Sequence, residues 1–323
     1  MMRAAVIDSY GGSDKLVVRE VPDPGPPGPG QVLVRVRAAS INPFDRMVRS
    51  GKVRFLMPAK FPLILGHDAA GEVAAIGPEV TRFQPGDPVF GGVDAKRHGG
   101  SWAELVLIPE GSLASKPAAL SFEEAAALPV AALTSLQALR DKGGLSAGEK
   151  VLINGAAGGV GHCAVQVARA LGARVTAVAS GRNQQFLREL GADETIDYQE
   201  EDFTGRDEQW HVILDAAATR QYADCEPVLD RDGGVYVSTV PGPKLLVWIA
   251  LTTLGGLFGQ KKRARTILVK QRAEDLAVLA RMADQGKLRP HLAEVFPLER
   301  IAAANDLSES GHVRGKVVVR VSG

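Results

Sequence analysis

The alternation of apolar and polar positions changes rhythm once along the chain. Over roughly the first 120 residues, apolar positions come in short bursts separated by turn residues. Val32-Leu33-Val34-Arg35-Val36-Arg37-Ala38 reads as a strand, and residues 71–76 and 102–108 read the same way. Between them stand Pro22, Pro24, Pro26, Pro27 and Pro29 with Gly25, Gly28 and Gly30, then Gly77-Pro78 and Pro85-Gly86-Asp87-Pro88. Strands at this density, broken by turn chemistry, predict a compact barrel-like β domain.

From Ser121 the texture is different. Ser121 and Glu124 have capping-box spacing, so a helix is expected through 125–127, ending near Pro129, with a second over 132–139. Apolar bursts then alternate with helical periods. Strands are expected at 151–154, 174–179, 194–197, 212–215, 234–239 and 266–269, and helices at 162–171, 184–190 and 222–229. Such alternation predicts βαβ units and a parallel sheet. A helix at 274–285 and a closing strand at 316–321 complete the reading.

Composition narrows the function classes. A chain of 323 residues is long enough for two cores, and 45% hydrophobic with 23% charged residues gives no signature of disorder. Lys+Arg is 38 against Asp+Glu 37, a formal net charge of +1, which gives no electrostatic case for a nucleic-acid partner. Two cysteines, Cys163 and Cys225, cannot build a disulfide framework or a cysteine-rich zinc site, and reduced thiols in a cytoplasmic protein are expected. Met1-Met2-Arg3 runs into Ala4-Ala5-Val6-Ile7, a strand-length segment rather than a secretion signal. No apolar run reaches the ~18 residues of a membrane span.

The strongest chemical motif is Asn154-Gly155-Ala156-Ala157-Gly158-Gly159-Val160-Gly161 between an apolar strand and a helix. It reads A-x-G-x-x-G, the first glycine of the dinucleotide fingerprint being Ala156. Gly158 lets a pyrophosphate approach, Gly161 lets the helix pack closely, and free N–H groups at the helix start face phosphate. The following strand ends in Ser180-Gly181-Arg182, where NAD sites carry an acid for the ribose 2′-hydroxyl. Ser180 and Arg182 instead suit a 2′-phosphate, so NADPH is expected over NADH. Ligands in such sheets sit beyond the carboxyl ends of strands, which selects Asp215, Ala216 and Ala217 after one strand and Thr239 and Val240 after another.

A larger set of ordered motifs carries a family resemblance: Asn42-Pro43-Phe44-Asp45, Gly66-His67-Asp68-Ala69-Ala70-Gly71-Glu72-Val73, Gly86-Asp87-Pro88-Val89-Phe90-Gly91, Gly100-Ser101-Trp102-Ala103-Glu104, Ala125-Ala126-Ala127-Leu128-Pro129, the glycine turn, and Gly311-His312-Val313-Arg314-Gly315-Lys316-Val317-Val318. Over nearly its whole length the chain resembles the zinc-independent medium-chain dehydrogenase/reductases of the quinone oxidoreductase type, its last third most like plastid-envelope quinone oxidoreductase homologues and alkenal/enone reductases. The resemblance implies an α/β fold in two domains: a GroES-like β-barrel catalytic domain from 1–123 and 272–323, and a Rossmann doubly wound parallel-sheet cofactor domain over 124–271. It implies an active site in a cleft between them, and hydride transfer from NADPH to a quinone or to the β-carbon of an α,β-unsaturated carbonyl. Zinc-dependent relatives use Cys, His and Cys or Asp as catalytic ligands and a four-Cys lobe. Here Asn42 and His67 stand at the first two ligand positions and the lobe is missing, so no metal is expected.

Asn42 and Asp45 are the expected catalytic residues, Asn42 also touching the cofactor. Thr134 and Tyr198 match cofactor-contact positions, Lys316 is expected to contact the cofactor across the cleft, and Phe44, Met47 and His67 are expected on the substrate side. Met47 holds a place where several relatives have a tyrosine, which excludes a tyrosine proton donor there.

One apolar run, 245–258, ends in Lys261-Lys262-Arg263-Ala264-Arg265. Three roles stay open for it: a substrate-pocket wall with Trp248 and Leu251 on one helical face, a core or dimer element, or an interfacial membrane contact through 245–265. A homodimer paired through 266–269 and a monomer both stay open. So do two alternatives to the lead activity: an enoyl-thioester reductase, and an NADPH-binding redox sensor with little turnover.

Overall fold

The computed structural model describes residues 1–55, 57–93 and 100–322. The chain forms two compact units, Met1–Val130 with Lys270–Gly323, and Ala131–Val269. The first unit therefore begins the chain and also ends it.

Among the described residues, the first unit holds a seven-stranded sheet and a three-stranded one. The large sheet is organised around Gln31–Ser40, where Val32, Val34 and Val36 are buried while Arg35 points out, the period of two that the sequence carries. That strand pairs antiparallel with Asp68–Ile76, Leu105–Pro109 and Lys316–Arg320. Lys316–Arg320 in turn pairs parallel with Leu292–Pro297. The C-terminal strand is thus an interior member of a sheet begun by the N-terminal segment. One core, including Val34, Val36, Leu65, Trp102, Leu113 and Val319, fills the unit.

The second unit carries a six-stranded, all-parallel sheet in the order Glu194–Asp197, Arg174–Ala179, Lys150–Asn154, Val212–Asp215, Val235–Ser238, Arg263–Thr266. Its central strands are buried on both faces, as Val151-Leu152-Ile153 and Val212-Ile213-Leu214 require. This is the doubly wound order expected of a nucleotide-binding sheet.

Two expectations are corrected. The last strand of the parallel sheet is Arg263–Thr266, not 266–269. Ala264 is fully buried and donates its N–H to Thr252 Oγ1 at 3.1 Å, whereas Leu268 in the more apolar stretch is 72% exposed. Hydrophobicity misled here because the strand is held by pairing and one buried alanine. Second, Pro129 does not merely end the helix Phe122–Ala126; it opens the next one, Pro129–Leu136, a place where its missing N–H costs nothing. The capping box at Ser121 is present: Glu124 N–H donates to Ser121 Oγ at 3.1 Å and Ser121 N–H to Glu124 Oε2 at 2.9 Å.

Candidate functional site

In the parallel-sheet unit, three strand ends converge. Ala216 N–H donates to Asn154 O at 3.0 Å, and Thr239 N–H donates to Asp215 O at 3.2 Å. The Ala217 methyl packs so closely on Gly155 that a side chain there would overlap it. The structure thereby brings the Ala156–Gly161 turn, Ala216, Ala217 and Thr239 together at the carboxyl ends of the central strands, with Val240 exposed beside them. Ser135 Oγ donates within 2.9 Å of Val160 O, which ties the helix carrying the buried Thr134 to the same turn.

The turn fits a dinucleotide. A Cβ built at Gly158 meets nothing nearer than 3.5 Å, so a phosphate has room against the backbone, while one at Gly161 would collide with the Gly155 carbonyl and the Ala156 backbone. The helix Gly161–Ala170 begins there and presents the free N–H groups that any helix start leaves.

The Asp215 side chain is engaged within its own unit. Its buried carboxylate accepts from Asn154 Nδ2 at 2.9 Å on one oxygen, and from Arg220 N–H at 2.9 Å and Tyr236 OH at 3.1 Å on the other. Burial, and then the Asp215 charge, push the Tyr236 hydroxyl well above its ordinary value, so it remains a neutral donor. The Asp215 side chain orders the strand ends from within.

At the end of Arg174–Ala179, Ser180 Oγ accepts from Asn183 Nδ2 at 3.0 Å, Arg182 is exposed, and Tyr198 is 56% exposed. Strand pairing adds a residue that reading along one strand did not: Asp197 is the register partner of Ala179, and its carboxylate lies against Gly181. A cavity of about 330 Å³ opens here, lined by Gly181, Arg188, Asp197, Glu200 and Glu201 among others. The neighbouring strand thus brings a carboxylate beside the loop that carries Ser180 and Arg182.

In the first unit, six polar side chains form a buried cluster. Asn42 precedes the helix Pro43–Arg49, and Asp45 Oδ2 caps it by accepting Asn42 N–H at 2.8 Å. Asp45 Oδ1 lies 2.5 Å from His67 Nδ1. The Asn42 amide turns the other way: Nδ2 donates to Asp68 Oδ2 at 2.9 Å, and Oδ1 accepts from Lys316 Nζ at 2.6 Å. Asp68 also accepts from Ser40 Oγ at 2.5 Å and from Val130 N–H at 2.8 Å. Lys316 Nζ donates to Ile41 O at 3.0 Å and stands 3.7 Å from Asp68 Oδ2. Asp45 and Asp68 are fully buried, and Lys316 and Asn42 nearly so. Lys316 was expected to reach the cofactor; within its own unit it is the counter-ion of Asp68.

Burial disfavours the charged form of His67, but the Asp45 charge and hydrogen bond, with a smaller push from Asp68, raise its affinity for a proton above the ordinary imidazole value of 6.5. Phe44 packs edge-on against the ring, centroids 4.9 Å apart, and Met47 is exposed on the same short helix. Asp68 and the ion pair with Lys316 were missed at the sequence level. The available signal was a carboxylate opening the strand just before the small apolar residues Ala69 and Ala70, since a buried charge demands a partner.

Trp248 and Leu251, one turn apart, differ in burial. In the helix Pro243–Gly255, Leu245, Trp248 and Ile249 pack on the unit's own core, Trp248 against Tyr222 with centroids 5.2 Å apart. Leu251 is 50% exposed, on the side carrying the exposed Leu246, Val247 and Leu254. Core packing took the stripe spaced i, i+3, i+4, which left Leu251 at its margin. Two basic residues that follow are paired, Lys261 with Asp232 at 2.7 Å and Lys262 with Glu226 at 4.0 Å. Among the described residues, no helix is long and apolar enough to cross a membrane. Nor do three or more His, Cys, Asp or Glu side chains among them come together as a metal-holding group.

Comparison with known proteins agrees with this geometry. Residues 28–118 match the alcohol dehydrogenase GroES-like domain, and residues 190–319 match the zinc-binding dehydrogenase family. The chain is 35% identical over 329 residues to the chloroplastic quinone-oxidoreductase QR1 of Triphysaria versicolor, covering 99% of this chain and 98% of that protein. It is 33% identical over 298 residues to the 2-methylene-furan-3-one reductase of Solanum lycopersicum, covering 90% of this chain and 71% of that one. The quinone oxidoreductase structure from Coxiella burnetii superimposes with a TM-score of 0.88 at 34% identity, covering 99% of each chain.

Proposed function

Since the chain belongs to the medium-chain dehydrogenase/reductase family, among its quinone oxidoreductase-like members, we propose that it is an NADPH-dependent reductase of quinones or of the C=C bond of α,β-unsaturated carbonyls, working without zinc. It is an oxidoreductase with a Rossmann sheet for NAD(P)H. When bound, NADPH supplies a hydride. The Ala156–Gly161 turn would hold its pyrophosphate, and Ser180, Arg182 and Tyr198 its adenosine 2′-phosphate, with the Arg182 guanidinium supplying the positive charge.

The observation that carries the substrate class is the Lys316–Asn42–Asp68 cluster. Asn42, where zinc-dependent relatives place a ligand, has both ends of its amide engaged, and a lysine ammonium already compensates Asp68. A donor set of one amide, one lysine and one His–Asp pair does not fit zinc. The acceptor must therefore be reducible without a Lewis acid. Quinones and enones are, because the negative charge formed on them is delocalised and needs only a proton. The two buried, unlinked thiols at Cys163 and Cys225 go with a cytoplasmic setting.

The test is NADPH oxidation across quinones, short enals, bulky enones and enoyl-CoA, with NADH alongside and a chelator arm. Turnover of quinones or enones with NADPH, unaffected by chelation, is expected. Arg182→Ala should cost NADPH about tenfold in kcat/KM, the worth of one charge-assisted contact of about 1.4 kcal/mol, and leave NADH unchanged. Turnover with NADH alone would overturn the Ser180/Arg182 assignment, and preferential use of enoyl-CoA would move the substrate class to thioesters. Tight NADPH binding without any acceptor would favour a redox sensor.

A further inference from the structure

The reaction proposed above needs a proton as well as a hydride, and position 47 is methionine. We propose that His67, anchored at Nδ1 by Asp45, is the acid that delivers this proton, from Nε2, to the reduced acceptor. This rests on the functional reading just given.

The geometry separates His67 from every other polar group in its cluster. Asp45 and Asp68 are acceptors. Ser40 spends its hydroxyl on Asp68, and Lys316 directs its ammonium to Ile41 O and Asn42 Oδ1. The ring of His67 makes its hydrogen bond through Nδ1, which leaves the Nε2 edge for another molecule, and the side chain keeps 8% of its surface open. Asp45 has one oxygen fixed by the Asn42 N–H and gives the other to the ring, so the imidazole is held in one orientation. The charges that face it are Asp45 from the short helix, Asp68 from its own strand, and Lys316 behind Asp68 from the C-terminal strand. Asp45 raises the ring's affinity for a proton, the direction a general acid requires.

The step balances simply. The Nε2–H bond breaks and a C–H bond forms at the α-carbon of the enolate, or an O–H bond at the hydroquinone oxygen. The electron pair stays on Nε2, leaving a neutral imidazole whose Nδ1–H still donates to Asp45. The reducing electrons arrive with the nicotinamide hydride, so this step moves no redox equivalents, and solvent returns the proton to the ring.

Three measurements test it, with methyl vinyl ketone as the enone probe. NMR titration of the cofactor-free protein should place the His67 proton loss above 6.5, and Asp45→Asn should bring it down. Steady-state kcat for methyl vinyl ketone should fall as pH rises through that same midpoint. His67→Gln should lower kcat by about 10²-fold or more and erase this limb, with NADPH binding by fluorescence unchanged. Asp45→Asn should move the limb to lower pH with a smaller loss, a displacement that a merely structural role for His67 would not produce. His67→Gln retaining wild-type kcat and the same limb would overturn the assignment and leave the functional reading standing. So would an Asp45→Asn protein whose limb does not move. Wild-type protein that turns over no acceptor in the screen would bring down the functional reading and this inference together.

Discussion

Each unit buries one carboxylate at the centre of a polar cluster, and the two are compensated in opposite ways. Asp215, in the parallel sheet, is satisfied by an amide, a backbone N–H and a phenol, all neutral and all from its own unit's strand ends and adjoining loop. Asp68, in the antiparallel sheet, is met by a lysine ammonium as well as by neutral donors, and sits beside a second carboxylate that holds a histidine. The first arrangement has nothing near it that changes charge around neutrality and only fixes backbone. The second holds a cation and a protonatable ring in a dry place, where a proton can be moved.

The contrast can be broken by removing one partner from each cluster. Lys316→Met would leave Asp68 buried without a cation, which should cost about 3–5 kcal/mol in denaturant unfolding followed through the buried Trp102. Adding Asp68→Asn to it should recover part of that loss. Asp215→Ala would strip an acceptor from three neutral donors and should cost less, about 1–3 kcal/mol. Equal costs for the two would erase the distinction between ionic and neutral compensation.

The pH dependence sharpens the same point. His67 binds its proton more tightly folded than unfolded, so its stabilising contribution is fully present below 6.5 and is lost as pH rises through its higher folded value. Unfolding free energy should fall over that window in wild type and in Asp215→Ala. The fall should disappear in Asp45→Asn. The smallest effect is a control outside both clusters. Ser121→Ala removes one helix cap and should cost about 1 kcal/mol with no change in pH slope.

Much of the nucleotide-binding unit was legible because its signals are local. The turn from Asn154 to Gly161 specifies a strand end, a glycine-lined approach and a helix start within a few residues. Buried parallel strands announce themselves as runs such as Val151-Leu152-Ile153. The Ser121–Glu124 box was readable for the same reason, since both hydrogen bonds close over three residues. The strand Arg263–Thr266 was misplaced because its pairing partner, rather than its own hydrophobicity, selects it. The i, i+3 spacing of Trp248 and Leu251 put both toward one side of a helix; the Tyr222 ring and the core beneath the helix decided which of them is covered.

The sequence by itself determined that a strand-rich segment precedes a βαβ segment, that a dinucleotide turn opens the latter, and that two cysteines cannot build a zinc lobe. Tertiary structure decided what surrounds each charged group. Lys316 reaches Ile41 and Asn42 across 275 and 274 residues of chain, and Asp197 reaches Gly181 only because its strand pairs with the one that leads into Gly181. The physical reason is range. Turns, caps and strand patterns are set by neighbours in the chain, whereas a buried charge is settled by whichever partner the sheet topology carries to it.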